Sequence, residues 1–427
     1  MKEDFLHYIW KFKKFKSHQL QSLDGEIISI INSGLHNQHA SGPDFFNAQM
    51  YIGEQHWAGN VEIHIKSSDW YAHGHEKDTA YQNVILHVVW EHDMDIYRTD
   101  ETKIPTLVLK PVIENSAENN YRRLMQSQLK WINCETAFHT FDEIKVKSWL
   151  TRVFVERLEQ KSGFIQEMLG TSKNNWNEVL FLMLVKNFGL KSNGEAFLSL
   201  AKSIPYQVLQ KTAHNQFQLE SLLLGQARLL DNSNIQNSYY SELQKEFAYL
   251  QQKFQLKDKS VLPVQFYGAR PTNFPTIRLA QLASLFHQQQ HLFGALIECK
   301  TRAEITKLFK IELSSFWQSH YTFEKVSKPR KKQLSKSFID LLIINTLVPI
   351  QFSFAKFTNN LKLENSSINL LTSLAVENNS IVNKFNSLKN NTAVNALESQ
   401  ALIQLKQNYC DKNKCLQCNL GIDLLRR

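Results

Sequence analysis

The stretch "GPDFFNAQMYIGEQHWAGNVEIHIKSSDWYAHGHEKD", residues 42–78, decides how the first part of this chain folds. Its segment "NVEIHIK" alternates apolar and polar residues, which is typical of a β-strand. The alternation predicts a buried apolar face and a polar face on the opposite side of the strand. The apolar face carries Val61, Ile63 and Ile65. The polar face carries Glu62, His64 and Lys66.

Further segments with strand character lie on both sides of this one. They are rich in β-branched and aromatic residues, and they read "EIISII", "AQMYIG", "NVILHVVW" and "PTLVLK". Residues 1–20 instead place apolar side chains at helical spacing, and from residue 117 onward the helical pattern dominates. We therefore predict an α+β protein: an amino-terminal mixed sheet of about five strands within residues 20–112, followed by a mostly helical region.

The same patterns indicate where domains begin and end. We expect an α/β domain in residues 1–116 and a helical domain in residues 117–324. The segment "KVSKPRKKQLSKS", residues 325–337, concentrates basic residues around Pro329, which favours a solvated linker over a phosphate-binding arm. A last helical segment, residues 338–427, ends in a cysteine cluster.

Composition and charge narrow the class of protein. A chain of 427 residues with 43% hydrophobic residues can bury a large core, which excludes a disordered protein. The net charge of +9 is compatible with a polyanionic partner, DNA or RNA. The amino terminus lacks the apolar core of a signal peptide, and residues 337–357 contain polar side chains and predict a buried helix that ends near Pro349, not a membrane span. We expect a cytoplasmic protein without a membrane partner, whose cysteines are thiols or metal ligands.

A pair of carboxylates is the first candidate for chemistry. Asp44 lies in a turn that enters "FFNAQMYI", and a hairpin through "GEQHWAG" would return Glu62 beside it. Two carboxylates placed there can hold Mg²⁺ or Mn²⁺, cations that leave coordination positions for water and phosphate. His64 or Lys66 could then orient the attacking water and stabilise charge on a phosphodiester.

The spacing of these residues resembles the core of the PD-(D/E)xK nuclease superfamily, in which an Asp and a Glu bind metal and a Lys activates water. Here Asp44 follows a proline, and Glu62 lies 18 positions later. His64 occupies the lysine position, and Lys66 lies one pleat further along. The resemblance implies a sheet domain of restriction-endonuclease-like type, in which "NVILHVVW" would be the next core strand and would carry His87.

Two histidines and an aspartate follow this strand. His73, His75 and Asp78 can act as metal ligands or as a proton-transfer group. Zinc is not favoured as the main metal, because no thiolate lies nearby and carboxylates prefer harder cations. Some nucleases that share this core use nearby histidines as acid or base, and the resemblance implies that role for His73 before His75. The alternative is a surface turn whose histidines make local hydrogen bonds.

A second candidate site lies in the cysteines. Cys410, Cys415 and Cys418 are clustered in "YCDKNKCLQCNLG", and Cys-x2-Cys is the usual chelating unit because its short loop turns both sulfurs towards one ion. Cys134 is the best fourth ligand, whereas Cys299 is predicted to be a buried core residue. We predict a structural site for zinc or an iron–sulfur cluster, with four reduced thiols as the alternative. The arrangement also resembles that of some iron–sulfur nucleases with the same core.

Motifs along nearly the whole chain resemble those of an uncharacterised bacterial family, domain of unknown function 2851. They are "GPDFFNA", "GNVEIHIKSSDWYAHGH", "VILHVVWEHD", "ESLLLGQARLL", "RPTNFPTIRLAQLA" and the terminal cysteine run. The residues favour a metal-dependent nuclease, or a nuclease-derived enzyme, that acts on nucleic-acid phosphodiesters. Because His64 replaces a lysine, a non-catalytic nucleic-acid-binding or scaffold protein with this fold is the alternative. The histidine cluster leaves open a hydrolase of a small substrate.

Overall fold

Two units make up the chain in the computed structural model. Contacts between Cα atoms assign Met1–Trp149 and Leu405–Arg427 to unit 1, and Leu150–Gln404 to unit 2. This division differs from the domain boundaries expected from the sequence, because residues 405–427 belong with the sheet and not with the helical segment that precedes them. The structure describes residues 2–37, 41–125, 130–257 and 260–426.

The strands that the structure describes all lie in unit 1, whereas helices lie in both units. The strands are β1 (Ile28–Asn32), β2 (Leu35–His36), β3 (Phe45–Ile52), β4 (Gln55–Lys66), β5 (Val84–Glu91) and β6 (Thr106–Val108). The α-helices are α1 (Glu3–Lys11), α2 (Asp69–Ala72), α3 (Asn115–Met125), α4 (Glu143–Thr171), α5 (Trp176–Phe188), α6 (Leu190–Ser203), α7 (Tyr206–Thr212), α8 (Gln216–Gln226), α9 (Ser238–Phe254), α10 (Pro275–Gln288), α11 (Leu292–Glu298), α12 (Arg302–Leu308), α13 (Ser315–Ser319), α14 (Lys336–Leu342), α15 (Val348–Phe357), α16 (Leu361–Thr372), α17 (Ser380–Leu388), α18 (Ala396–Gln404) and α19 (Asn419–Arg426).

The sheet of unit 1 is mixed. Strands β1, β3 and β4 pair antiparallel, whereas β4, β5 and β6 pair parallel. Strand β2 also pairs with β3, and the sequence did not predict it because two residues are too few to show an alternation. The predicted α+β class, with an amino-terminal mixed sheet and a mostly helical remainder, is confirmed.

The connection between β3 and β4 is a two-residue turn. Ile52 pairs with Gln55, so the turn contains Gly53 and Glu54 alone, and Gly53 adopts a left-handed φ of +60°. The predicted connection through residues 53–59 is therefore wrong. Strand β4 is longer than expected because its first half, which lacks a strict alternation, also pairs with β3.

Both faces of β4 are buried in its second half, where the sequence predicted one buried face. Val61 and Ile63 lie in the main core of unit 1, while Glu62 and His64 on the other face are 5% and 1% exposed. The residues that follow β4 cover this second face, since the ring of Trp70 lies 5.8 Å from that of His87. A polar face that is shielded from water in this way is expected at a site of chemistry more often than on a surface hairpin.

Helix α1 forms as its sequence predicts. Glu3 and Asp4 in its first turn and Lys11 in its last turn complement the helix dipole. Its apolar side packs into the core of unit 1 that the sheet also lines. The buried residues of α1 are Phe5, Leu6, Tyr8, Ile9 and Trp10.

Unit 2 contains the most apolar segment of the chain, Lys336–Phe357. This helix has the length and composition of a membrane-crossing helix, and most of it is buried within the protein. The predicted end near Pro349 is wrong, because the helix continues to Phe357. A π-helical turn, Ile343–Leu347, comes directly before Val348 and Pro349, and such a wider turn accommodates a residue that has no N–H donor.

The basic segment 325–337, predicted to be a linker, lies within unit 2. The ammonium group of Lys332 is buried and donates hydrogen bonds to the backbone carbonyls of Trp317 and Gln318. The backbone carbonyl of Lys332 in turn accepts a hydrogen bond from Gln281. This part of the segment is thus packed into the helical unit.

Candidate active site

Asp44 and Glu62 lie side by side, as the hairpin argument expected. Phe45 pairs with Val61 across the two strands, which places Asp44 opposite Glu62. The backbone N–H of Asp44 donates to Glu62 Oε2 at 3.0 Å, and the N–H of Ile63 donates to Asp44 Oδ2 at 3.0 Å. Each carboxylate is therefore held by the backbone beside the other one.

A β-bulge in β3 lies next to this pair. The register slips by one residue between Phe45 and Ala48, where Asn47 adopts a left-handed φ of +57°. The N–H of Asn47 donates to the side chain of Asn60 at 3.3 Å. Bulges re-aim neighbouring side chains, and this one directly follows Asp44 in the chain.

The carboxyl group of Glu62 occupies a strongly perturbed environment. Burial, followed by the negative charge of Asp44, raises its pKa to about 9, although the Asp44 N–H counteracts this. His7, on α1, has Nε2 at 3.1 Å from Asp44 Oδ2. Burial lowers the pKa of His7, and the Asp44 carboxylate together with Asp4 and Glu3 more than offsets that effect, so the pKa is raised. The raised pKa favours the protonated form of Glu62 in the metal-free protein, whereas a bound cation would favour its charged form.

Three imidazoles gather around the same carboxyl group. Within the described part of the chain, His64, His73 and His75 are the group of metal-ligand atoms that lie within 4.8 Å of one another. His64 Nε2 lies 3.1 Å from His73 Nδ1. Glu62 Oε1 lies 3.3 Å from His75 Nε2 and 3.5 Å from His64 Nε2. The three imidazoles could hold one cation through three nitrogens, and Glu62 Oε1, which lies beside two of them, could supply an oxygen ligand.

The segment after β4 is fixed so that these histidines face the strand. At the start of this segment, the backbone N–H of Ser68 donates to Asp93 at 2.9 Å. Gly74, with a left-handed φ of +74°, turns the chain between His73 and His75. The ring of Tyr81 stacks on the imidazole of His75 at 3.8 Å. His73 is exposed, so the group has one side open to water.

A second buried histidine, His87, contacts His64. His64 Nδ1 lies 2.8 Å from His87 Nε2, and His87 is completely buried. Burial, followed by the charges of His75 and His73, lowers the pKa of His64 to about 3. Burial and then His64 lower the pKa of His87 well below its ordinary value. Both imidazoles are therefore neutral, and when His64 Nδ1–H donates to His87, the lone pair of His64 Nε2 is free for a metal.

Two residues that were predicted to take part in the chemistry, Lys66 and Asp78, have other surroundings in the structure. Lys66 is exposed at the end of β4, and its charged neighbours are Glu91, directly opposite on β5, and Asp93. Asp78 is exposed and caps a 3₁₀ turn, accepting a hydrogen bond from the N–H of Ala80 at 2.9 Å. Asp78 thus has a local structural role, while a catalytic role of Lys66 stays a prediction.

The site also contains groups that the sequence analysis did not select. His7 comes from α1, far from the hairpin in sequence, and Tyr81 follows the two histidines in the segment between β4 and β5. His87 was assigned to the next core strand without a role. A signal for His87 was present, because an ionisable residue within the otherwise apolar "NVILHVVW" must be either paired or costly.

Cys134, Cys410, Cys415 and Cys418 lie together in unit 1 as free thiols. Cys299 lies in unit 2 and is buried, as predicted, with its thiol donating to the carbonyl of Ala295 at 3.2 Å.

Comparison with known proteins gives one result. Neither the curated proteins nor the solved structures contain a match to this chain. A family model described as Protein of unknown function (DUF2851) matches residues 3–380, in agreement with the motifs quoted above. The chain therefore belongs to this family of unknown function.

Proposed function

We propose that the protein is a metal-dependent hydrolase that cleaves phosphodiester bonds of nucleic acid. The observation that carries the proposal is the position of Glu62: its Oε1 lies 3.3 Å from His75 Nε2, and its Oε2 accepts from the backbone of Asp44. The carboxylate pair of the nuclease-like hairpin and the histidine cluster are therefore parts of one site. The mixed sheet, with β5 parallel to β4, supports a restriction-endonuclease-like type for unit 1.

The donor set of this site favours a particular class of metal. Imidazole nitrogens suit zinc and other transition metals, whereas magnesium prefers an all-oxygen environment. Three imidazoles and one carboxylate oxygen therefore fit Mn²⁺ or Zn²⁺ better than Mg²⁺. His64, in place of the expected lysine, would then serve as a metal ligand and not as the group that activates water.

Each residue of the site would have a separate role. Glu62, His64, His73 and His75 would hold the cation, which when bound lowers the pKa of a water ligand and neutralises charge on the phosphate. His87 positions His64 through the bond between their ring nitrogens. His7 contacts the Asp44 carboxylate. The raised pKa of His7 suits it to donate a proton to the leaving oxygen.

The test is cleavage by metal-depleted protein after addition of Mn²⁺, Zn²⁺ or Mg²⁺, with single-stranded, double-stranded and branched DNA and RNA. Cleavage should require Mn²⁺ or Zn²⁺. Glu62→Gln should lower the rate by more than about a hundredfold, since loss of a ligand exceeds the 10- to 100-fold effect of an outer partner. Glu54→Gln is the matched control, because Glu54 is exposed on the turn of the same hairpin.

Equal cleavage by Glu62→Gln and wild type would exclude this site. If the metal-loaded wild type binds nucleic acid and cuts none of these substrates, the non-catalytic binding or scaffold function replaces the enzymatic one.

A further inference from the structure

Four thiols meet in unit 1 although most of the chain separates Cys134 from the other three. Cys134 and Cys415 both pack against the core of unit 1, and each of the four thiols lies within electrostatic range of the other three. The family model, which ends at residue 380, includes only the first of these cysteines. The candidate active site uses none of them.

The backbone near the carboxyl terminus is shaped to present three of these thiols together. The N–H of Asn413 donates to the carbonyl of Cys410 at 3.1 Å, and the N–H of Cys418 donates to that of Cys415 at 3.2 Å. Gly421 approaches Cys415 so closely that a Cβ atom would collide with its carbonyl oxygen. The sequence "CLQCNLG" thus folds back on itself, and the glycine is required for that close approach.

Hydrogen-bond donors surround the sulfurs. Asn133 Nδ2 lies 3.3 Å from Cys415 Sγ, and the backbone N–H groups of Leu420 and Gly421 donate to Cys418. Donors of this kind favour thiolates over thiols. The site therefore offers hydrogen-bond donors to the sulfurs of Cys415 and Cys418.

The spacing of the sulfurs distinguishes between two kinds of metal site. A zinc ion with tetrahedral bonds of about 2.3 Å holds its sulfurs about 3.8 Å apart. In the described residues, only the three imidazoles of the active site form a group of ligand atoms within 4.8 Å, and the cysteines form none. No three of the described sulfurs therefore lie as close together as the ligands of one bound zinc ion, as expected when each thiolate binds a separate iron atom of a cluster.

We propose that Cys134, Cys410, Cys415 and Cys418 hold an iron–sulfur cluster. All four ligands come from the protein, so the cluster leaves no open position and is structural. Cys415 packs against the core of unit 1 together with Leu416 and Ile422, and the guanidinium of Arg426 lies 4.8 Å from the ring of Phe12. The cluster thereby fastens α19 to the core that α1 also covers.

The test is the metal content of the full chain purified without oxygen. Wild type should contain iron and acid-labile sulfide in equal amounts and should absorb broadly in the visible range. Cys134→Ser should lose both, whereas Cys299→Ser, the matched control in unit 2, should keep both. Glu62→Gln should also keep the cluster, so the result is independent of the proposed function.

Each other outcome overturns the proposal. One zinc per chain without iron would replace the cluster by a single ion. Folded wild-type protein with neither metal, and with four thiols that react freely with an alkylating reagent, would remove the metal site altogether. The content of wild type decides these cases even when Cys134→Ser fails to fold.

Discussion

The imidazole site and the thiol site lie in the same unit and are built in opposite ways. The residues around Glu62 come largely from one hairpin and the segment after it, whereas Cys134 and Cys410 are brought together from distant parts of the chain. The first site needs correct strand register, because a slip by one residue would turn Glu62 to the other face. The second site needs both segments of unit 1 to be in place before four ligands exist.

The largest difference between the two sites is expected when His87, the partner of His64, is substituted. His87→Asn should weaken binding of Mn²⁺ or Zn²⁺ by about 10- to 100-fold, since it removes the acceptor that orients His64. Iron and sulfide at the thiol site should not change. Titration of metal-depleted protein measures the affinity, and His56→Asn, an exposed histidine of the same hairpin, is the control. Unchanged affinity would mean that His64 is not a ligand.

A pH-dependent stability should distinguish the two sites in metal-depleted protein. The pKa of Glu62 is raised to about 9, so the folded state keeps a proton that the unfolded chain releases above pH 4.5. Its contribution is complete at low pH and is lost as pH rises towards 9. His64, with its pKa lowered to about 3, acts in the other direction between pH 3 and 6.5.

Comparison of wild type with Glu62→Gln by denaturant unfolding between pH 6.5 and 9 isolates the contribution of Glu62, because His7, whose pKa is also raised, titrates in both proteins. Wild type should lose stability across this range relative to Glu62→Gln, and bound Mn²⁺ should remove the difference. Parallel stability curves for the two metal-depleted proteins would show that Glu62 is ionised at neutral pH, contrary to the site described above.

The smallest effect concerns Asp78. Asp78→Ala should destabilise the protein by about 1 kcal/mol, the usual cost of losing a helix cap, because the N–H of Ala80 loses its acceptor. Metal affinity should remain that of wild type. A loss of metal without a loss of stability would instead identify Asp78 as a ligand.

The sequence predicts the hairpin and the Asp44–Glu62 pair because antiparallel neighbours follow each other along the chain. It does not predict His7, since the contact between α1 and Asp44 depends on how a helix docks on the sheet. The same reason applies to the burial of His64, because alternation alone cannot tell whether a polar face is covered. The helix that continues through Pro349 was missed because a π-helical turn leaves no composition signal.

The cysteines illustrate a different limit. Their short spacings predict that three of them act together, but nothing local connects them to Cys134. The sequence favours Cys134 because it lies at the junction between the two main regions and Cys299 is predicted to be a core residue, and the structure places Cys134 beside the other three. Sequence spacing also carries no information on the distance between sulfurs, which is what separates a cluster from a zinc ion.

The discontinuity of unit 1 has a consequence for synthesis on the ribosome. Leu150–Gln404 must be translated between the two segments of unit 1, which takes on the order of tens of seconds at 5–20 residues per second. During that interval the nascent sheet lacks α19 and three of the four thiols. Its apolar surface has not yet packed against α19, and Cys134 has not yet met the other cysteines. We expect chaperones to bind the nascent chain in this window, and cluster insertion to come after translation of Cys418.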